Sequence, residues 1–138
     1  MILRKGRESD LKNVLEIEVM AYKNPYWSQN MIFEVLANKT DKRLWIYEVD
    51  NDVVGFIIDM RHKDEISLLN IAIHKCLQGM GHGFKMLKKY IKNLPGKYSI
   101  YLEVNKNNIK ALNMYAKLNF ERVSIRKSYY TDGGDAIN

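Results

Sequence analysis

Residues 66–94 read ISLLNIAIHKCLQGMGHGFKMLKKYIKNL: a β-rich run, a glycine-rich segment, then apolar residues at helical spacing. Within Gln78-Gly79-Met80-Gly81-His82-Gly83-Phe84, three of the eight glycines of the chain stand on alternate positions. Alternate glycines remove Cβ atoms, so that backbone N–H groups can come close to a ligand. A helix starting directly behind them adds unpaired N–H groups and the positive end of its dipole. This combination suggests a phosphate cradle, while the plainer reading is a turn that happens to precede a helix. What lies on either side decides between them.

Upstream, Ile2-Leu3 begins a short strand, and Glu8-Ser9-Asp10 starts a helix over LKNVLEIEVM with Leu11, Val14, Leu15, Glu18 and Val19 at helical spacing. Asn24-Pro25 breaks that pattern. Ser28 then caps a second helix, QNMIFEVLAN, with Met31, Ile32, Val35 and Leu36 on one face. LWIYEV at 44–49 and VVGFIIDM at 53–60 read as strands joined by a hairpin at Asp50-Asn51-Asp52, and ISLLNIAI at 66–73 as the next strand. Downstream, the helix carrying Phe84, Leu87, Tyr90, Ile91 and Leu94 stops at Pro95-Gly96. YSIYLEV at 98–104 is a strand, NNIKALNMYAKL at 107–118 a helix and FERVSIRKSYY at 120–130 the last clear strand. Strand, helix, strand around 66–104 calls for a parallel pair with a right-handed crossover, flanked by antiparallel hairpins.

With 138 residues and no internal repeat, the chain is expected to form one domain over residues 1–138 with a real core. The single cysteine, Cys76, excludes an internal disulfide and indicates a reducing compartment. The charged amino terminus lacks a signal-peptide h-region, and the longest apolar block, VVGFII at 53–58, is too short to span a bilayer, so a cytoplasmic protein without a membrane partner is expected. A net charge of +6 favours an anionic partner such as nucleic acid, a ribonucleoprotein or a polyphosphate cofactor. The three histidines have no carboxylate or cysteine at ligand spacing, and no metal is expected.

NIAI at 70–73, QGMGHG at 78–83, LEVNKNNIKALNMYAKLNF at 102–120, RKSYY at 126–130 and DAI at 135–137 together resemble the GNAT acyl-CoA-dependent N-acetyltransferases, and in particular the RimI family, which acetylates the N-terminal alanine of a small-subunit ribosomal protein. EIEVMAYKNPYWS at 16–28 extends the resemblance over nearly the whole chain, leaving only residues 38–65 generic. The resemblance implies an α/β fold with a mixed, mostly antiparallel sheet, a splayed central parallel strand pair and about four helices. It implies acetyl-CoA held by the backbone of Ile71, Ala72 and Ile73, by the loop Gln78, Gly79, Met80, Gly81, His82, Gly83 and Phe84, and by Asn108. Read without it, Ile71–Ile73 is core strand, His82 a solvent-facing loop residue and Asn108 a helix cap. Members of the family continue past Asp-Ala-Ile with an apolar strand, so the last strand is expected to be short here, with a homodimer able to cover its edge.

Acetyl transfer from a thioester to an amine needs a neutral amine, a stabilised oxyanion and a proton for the leaving thiolate. The resemblance makes Glu103 the general base and Tyr115 the general acid, whereas the residue patterns alone give a solvent-facing strand carboxylate and a core tyrosine. It also implies a peptide groove walled by Tyr26, Trp27, Tyr129 and Tyr130. An α-amino group with a pKa near 8 is roughly one tenth neutral at pH 7, against fewer than about one lysine in a thousand, which suits a lone carboxylate base acting on a protein N-terminus. Cys76 has no evident His or Asp partner for an acyl-enzyme route, so direct transfer is expected. Three functions stay open: an N-terminal alanine acetyltransferase acting on a ribosomal protein, without need of direct nucleic-acid binding; a GNAT enzyme acting on lysine or a small amine; and a non-catalytic CoA-binding or RNA-associated module.

Overall fold

Alternating apolar residues between positions 42 and 73 fold as three long antiparallel strands, and these organise everything else. The computed structural model describes residues 1–21, 27–96, 98–105, 108–118, 120, 125–126 and 136–137. In chain order the elements are β1 (Ile2–Lys5), α1 (Leu11–Ala21), α2 (Gln29–Leu36), β2 (Lys42–Val49), β3 (Asp52–His62), β4 (Glu65–Ile73), α3 (His82–Lys92), β5 (Ser99–Tyr101), β6 (Val104–Asn105), α4 (Ile109–Lys117), β7 (Ile125–Arg126) and β8 (Ala136–Ile137). Short 3-10 turns at Glu8–Asp10 and Lys75–Leu77 precede α1 and the glycine loop.

The strands form a five-stranded sheet in the order β1-β2-β3-β4-β5 and a three-stranded sheet in the order β6-β8-β7. The β4–β5 pair is parallel and the remaining pairs are antiparallel. This is the expected mixed, mostly antiparallel α/β architecture, with four α-helices among the described residues. The β2–β3 hairpin has a two-residue loop, Asp50-Asn51, with φ of 52° and 69°. Two positive φ values define the turn whose twist matches the flanking strands, and aspartate and asparagine tolerate them.

Three expectations are corrected. The strand expected over 98–104 is broken at Leu102-Glu103, and its halves belong to different sheets. Of the strand expected over 120–130, Ile125–Arg126 is strand and Phe120 is not, while 121–124 and 127–130 lie outside the described residues. It is not the last strand either, because Ala136–Ile137 lies between β6 and β7 and pairs with both. The helix stripes are also shifted. In α1, Ile17 is buried and Val19 exposed, and in α2 Met31 is exposed while Ile32, Val35 and Leu36 are buried.

Two apolar layers cover the large sheet. Val14 and Ile17 of α1 and Ile32, Val35 and Leu36 of α2 pack on Leu44, Ile46, Phe56, Ile58 and Ala72. On the opposite face Met86, Leu87 and Tyr90 of α3 pack with Tyr47, Ile57, Ile66, Leu68 and Ile73, with α4 residues at the margin. That second layer encloses the fully buried carboxylate of Asp59. It accepts two bonds from Arg43 (3.0 and 2.9 Å), one from Trp45 Nε1 (3.1 Å) and a very short one from the Tyr90 hydroxyl. A buried carboxylate is tolerated when its lone pairs are met in this way. Burial, together with donation to Asp59, pushes the Tyr90 phenol well above its ordinary pKa.

Gly55 sits where α3 presses on the sheet. A Cβ there would lie 2.7 Å from Ile73 Cδ1, 2.9 Å from the Ala72 carbonyl oxygen and 3.1 Å from Met86 Sδ. Gly55→Ala is expected to cost about 1–3 kcal/mol by overpacking, read as a lowered urea midpoint; an unchanged midpoint would contradict the packing described.

On the other side of the molecule, Arg4 of β1 grips Asp10 at the entry to α1 through two bonds of 2.8 Å and also reaches Glu48 of β2. The Arg4 hydrogen bonds hold the Asp10 carboxyl below its usual range against the opposing effect of burial. A carboxyl depressed in the folded state contributes fully above its unfolded pKa, near 4, and loses that contribution as pH falls through the folded value. Asp10→Asn is therefore expected to lower the melting temperature at pH 7 and to flatten its fall below about pH 4. An acid limb as steep as that of the unaltered protein would refute the linkage.

Candidate active site

β4 carries a bulge at the place where its carboxyl-terminal half becomes important. Its pairing with β3 shifts between Ile58 and Asp59, with Asn70 opposite Ile58 and Leu68 opposite Asp59, so Leu69 is an extra residue. One extra residue reverses which face each later side chain occupies. Leu68 and Ile73 accordingly join the α3 layer, Ile71 packs at its edge, and Ala72 joins the α1 layer. The side chains of Ala72 and Ile73 are core, as the strand pattern predicts, and Ile71 is half-buried.

The other edge of β4 is paired with β5 over Glu65–Ser67 against Ser99–Tyr101. Past Tyr101 the chain crosses Leu102-Glu103 and enters β6, which pairs with β8. The two sheets therefore part beside the second half of β4. Glu103 stands at that parting, half-buried. Tyr115 is half-buried on α4, its ring 5.6 Å from Phe120 in edge-to-face contact.

The glycine loop joins β4 to α3. Gly79 and Gly81 have φ of +83° and +81°, with nothing within 4 Å of a Cβ built at either. They supply the left-handed backbone that the turn requires, on a surface open to an incoming group. Gly81 caps α3, whose first internal bond is Lys85 N–H to the Gly81 carbonyl at 3.1 Å. The N–H groups of His82, Gly83 and Phe84 thus belong to the unfilled first turn. Gly83 serves packing as well, since a Cβ there would approach Met114 Sδ of α4 to 3.3 Å. Gln78 is exposed, but its side chain folds back on the strand, donating from Nε2 to the Ile73 carbonyl at 3.0 Å and tying the loop to the end of β4. Met80 is exposed and Phe84 half-buried. Bare backbone, a helix amino terminus and open space together fit a pyrophosphate.

His82 departs from the solvent-facing reading. It opens α3 and is half-buried, with its ring 6.2 Å from the fully buried Tyr47 and its Nδ1 shielded from solvent. Asn108 is exposed, and its Oδ1 accepts from the Ala111 N–H at 3.2 Å, so the capping role is present. Trp27 is half-buried and packs against the α1–α2 layer, as an anchor would. Tyr26, Tyr129 and Tyr130 lie outside the described residues. The His74 ring accepts from the Cys76 backbone N–H at 3.2 Å, which commits its Nδ1 to the turn. Among the described residues no group of three or more His, Cys, Asp and Glu is placed to hold a metal ion, and no helix is long and apolar enough to cross a membrane. Glu18 and Asn70 were not singled out as site residues by the sequence, yet both are buried and bonded to each other. The available signal was a glutamate four residues after Val14, inside an apolar stripe.

A crossover from a bulged strand through a glycine loop into a helix, beside two parting sheets, defines an acyl-CoA-dependent transferase fold. The acetyltransferase (GNAT) family model matches residues 11–120, and the chain belongs to that family. It is similar to the ribosomal protein bS18-alanine N-acetyltransferase of Haemophilus influenzae, at 37% identity over 94% of this chain and 87% of the relative. It is also similar to an uncharacterised N-acetyltransferase of Methanocaldococcus jannaschii, at 31% identity over 99% of this chain and 88% of the relative. The crystal structure of the ribosomal-protein-S18-alanine N-acetyltransferase from Escherichia coli superposes with a TM-score of 0.86 at 29% identity, covering 99% of this chain and 89% of that one. The chain is an acetyl-CoA-dependent N-acetyltransferase with relatives of RimI type.

Gly81→Ala places a side chain in left-handed backbone, at a cost of about 1–2 kcal/mol. The loop is expected to rearrange and calorimetric affinity for acetyl-CoA to fall, with Gly81→Asn impaired less. Wild-type affinity in Gly81→Ala would remove the loop from the binding site.

Proposed function

We propose that this single-domain enzyme acts in the cytoplasm on the N-terminal α-amine of a protein, with the N-terminal alanine of a ribosomal protein as its acceptor. The observation that carries the reading is the position of Glu103, at the parting of the sheets just past the end of the β4–β5 pairing. Bound acetyl-CoA supplies the acyl carbon, activated as a thioester. The N–H groups of residues 79–84 receive its pyrophosphate, Gln78 braces that loop, the backbone of Ile71, Ala72 and Ile73 aligns the acyl arm, and Asn108 meets the cofactor from the start of α4. Glu103 takes a proton from the attacking nitrogen as the N–C bond forms, and the Tyr115 hydroxyl gives its proton to the departing sulfur as the C–S bond breaks. Tyr26, Trp27, Tyr129 and Tyr130 are proposed as walls of the peptide groove.

The choice of amine has two supports. A terminal α-amine is far more often neutral at pH 7 than a lysine, so less deprotonation is asked of a single carboxylate. Relatives from Haemophilus influenzae and Escherichia coli act on the alanine of ribosomal protein bS18.

The test compares CoA release with a short peptide bearing a free N-terminal alanine and with the same peptide blocked at its terminus but carrying a lysine. Turnover is expected on the free terminus, with kcat falling about a hundredfold or more in Glu103→Gln, and a lowered kcat in Tyr115→Phe. Turnover on the lysine peptide alone would overturn the acceptor, and a wild-type kcat in Glu103→Gln would overturn the base.

A further inference from the structure

Glu18 is 1% exposed, on the inner face of α1, and its Oε2 accepts a 2.5 Å hydrogen bond from Asn70 Nδ2, itself 8% exposed. A buried polar pair in such a layer is costly: apolar side chains of similar volume in place of both partners often leave a fold equally or more stable. The first core layer around it is apolar and gains nothing by area from an acid. Its partner stands at a sensitive place in the sheet. Asn70 follows the bulged Leu69 directly and precedes Ile71 directly. A bulge admits an alternative placement, because moving the extra residue from Leu69 to Asn70 would turn the Asn70 side chain to the opposite face and carry the local bend toward Ile71. Leu69 is apolar and 36% exposed, so such a move, which brings it to the inner position that Asn70 now holds, is favoured by area. A polar bond from α1 to the first residue beyond the bulge does penalise it, since only one register presents an amide to Glu18.

We infer that Glu18 and Asn70 form a positioning pair that fixes the bulge of β4 and so sets the backbone of Ile71–Ile73 toward the acyl donor. The pair touches neither substrate; it acts through the strand. This rests on the proposed role of Ile71–Ile73 in holding acetyl-CoA. Glu18→Met removes the acceptor at nearly constant volume, and Glu18→Gln keeps an oxygen for Asn70.

The experiment measures melting temperature, the Kd for acetyl-CoA, and KM for each substrate with whichever amine the unaltered enzyme turns over. In Glu18→Met the stranded Asn70 amide is expected to lower the melting temperature, while under conditions where the variant is fully folded Kd and KM for acetyl-CoA rise about tenfold and KM for the amine stays within about twofold, as a displaced binding strand requires. Glu18→Gln is expected to restore acetyl-CoA binding to within about twofold of the unaltered enzyme. Acetyl-CoA binding and activity that fall only in proportion to the folded fraction would reduce the pair to a structural role and overturn the inference. Unchanged acetyl-CoA binding in Glu18→Met, or Glu18→Gln as defective as Glu18→Met, would overturn it as well. Amide NMR shifts of Ile71, Ala72 and Ile73 on addition of CoA to the unaltered protein separate the two levels. If those amides stay still, the reading of the strand itself fails; if they move and Glu18→Met binds normally, only the role of the pair fails.

Discussion

A strand remains in a sheet only as long as a neighbour runs beside it to share its hydrogen bonds. For β4 the parallel neighbour β5 gives that support over Glu65–Ser67 and then departs toward the second sheet. This departure shapes the site. It puts Glu103 at the seam, brings the second half of β4 beside the opening, and sends the chain from Ile73 into the turn that starts α3. The Leu69 bulge falls in the same stretch, so the strand changes its facing just where its neighbour leaves. Bulges recur beside active sites because they re-aim a strand without ending it.

The loop must also be held at a fixed depth, and α3 achieves this by close approach to the sheet. Gly55 lets Met86 reach β3, Gly83 lets the start of the helix meet Met114, and Tyr90 anchors the far end to Asp59. Gln78 closes the arrangement from the strand side. Two of these contacts depend on an absent side chain and two on a polar bond, and together they limit both the rotation and the sliding of the helix.

Local chemistry was legible in the sequence and long-range geometry was not. The hairpin at Asp50-Asn51, the cap at Ser28, the glycine turn and the crossover each depend on residues close in the chain, and each forms as expected. The break at Leu102-Glu103 was hidden because YSIYLEV has uninterrupted strand propensity, and only the loss of a lateral partner divides it. The bulge was equally hidden, since Leu68 and Leu69 are both apolar and fit either register. His82 looked like a loop residue because a helix beginning inside a glycine run is disfavoured by propensity; packing against Tyr47 and the sheet outweighs that preference. Glu18 was visible as part of an apolar stripe, but its meaning required Asn70, fifty-two positions away.

The cluster around Asp59 also constrains how the sequence can change. Arg43, Trp45 and Tyr90 come from two elements and meet on one carboxylate that has no exposure to solvent. Replacing any one of the three donors leaves the same acceptor short, so a second replacement removes less than it would alone, and the effects of substitutions do not add. Replacing Asp59 first strands several donors at once. Descendants of this chain can therefore leave the arrangement easily only by exchanging several of these residues together, and the four positions are expected to persist or disappear as a set.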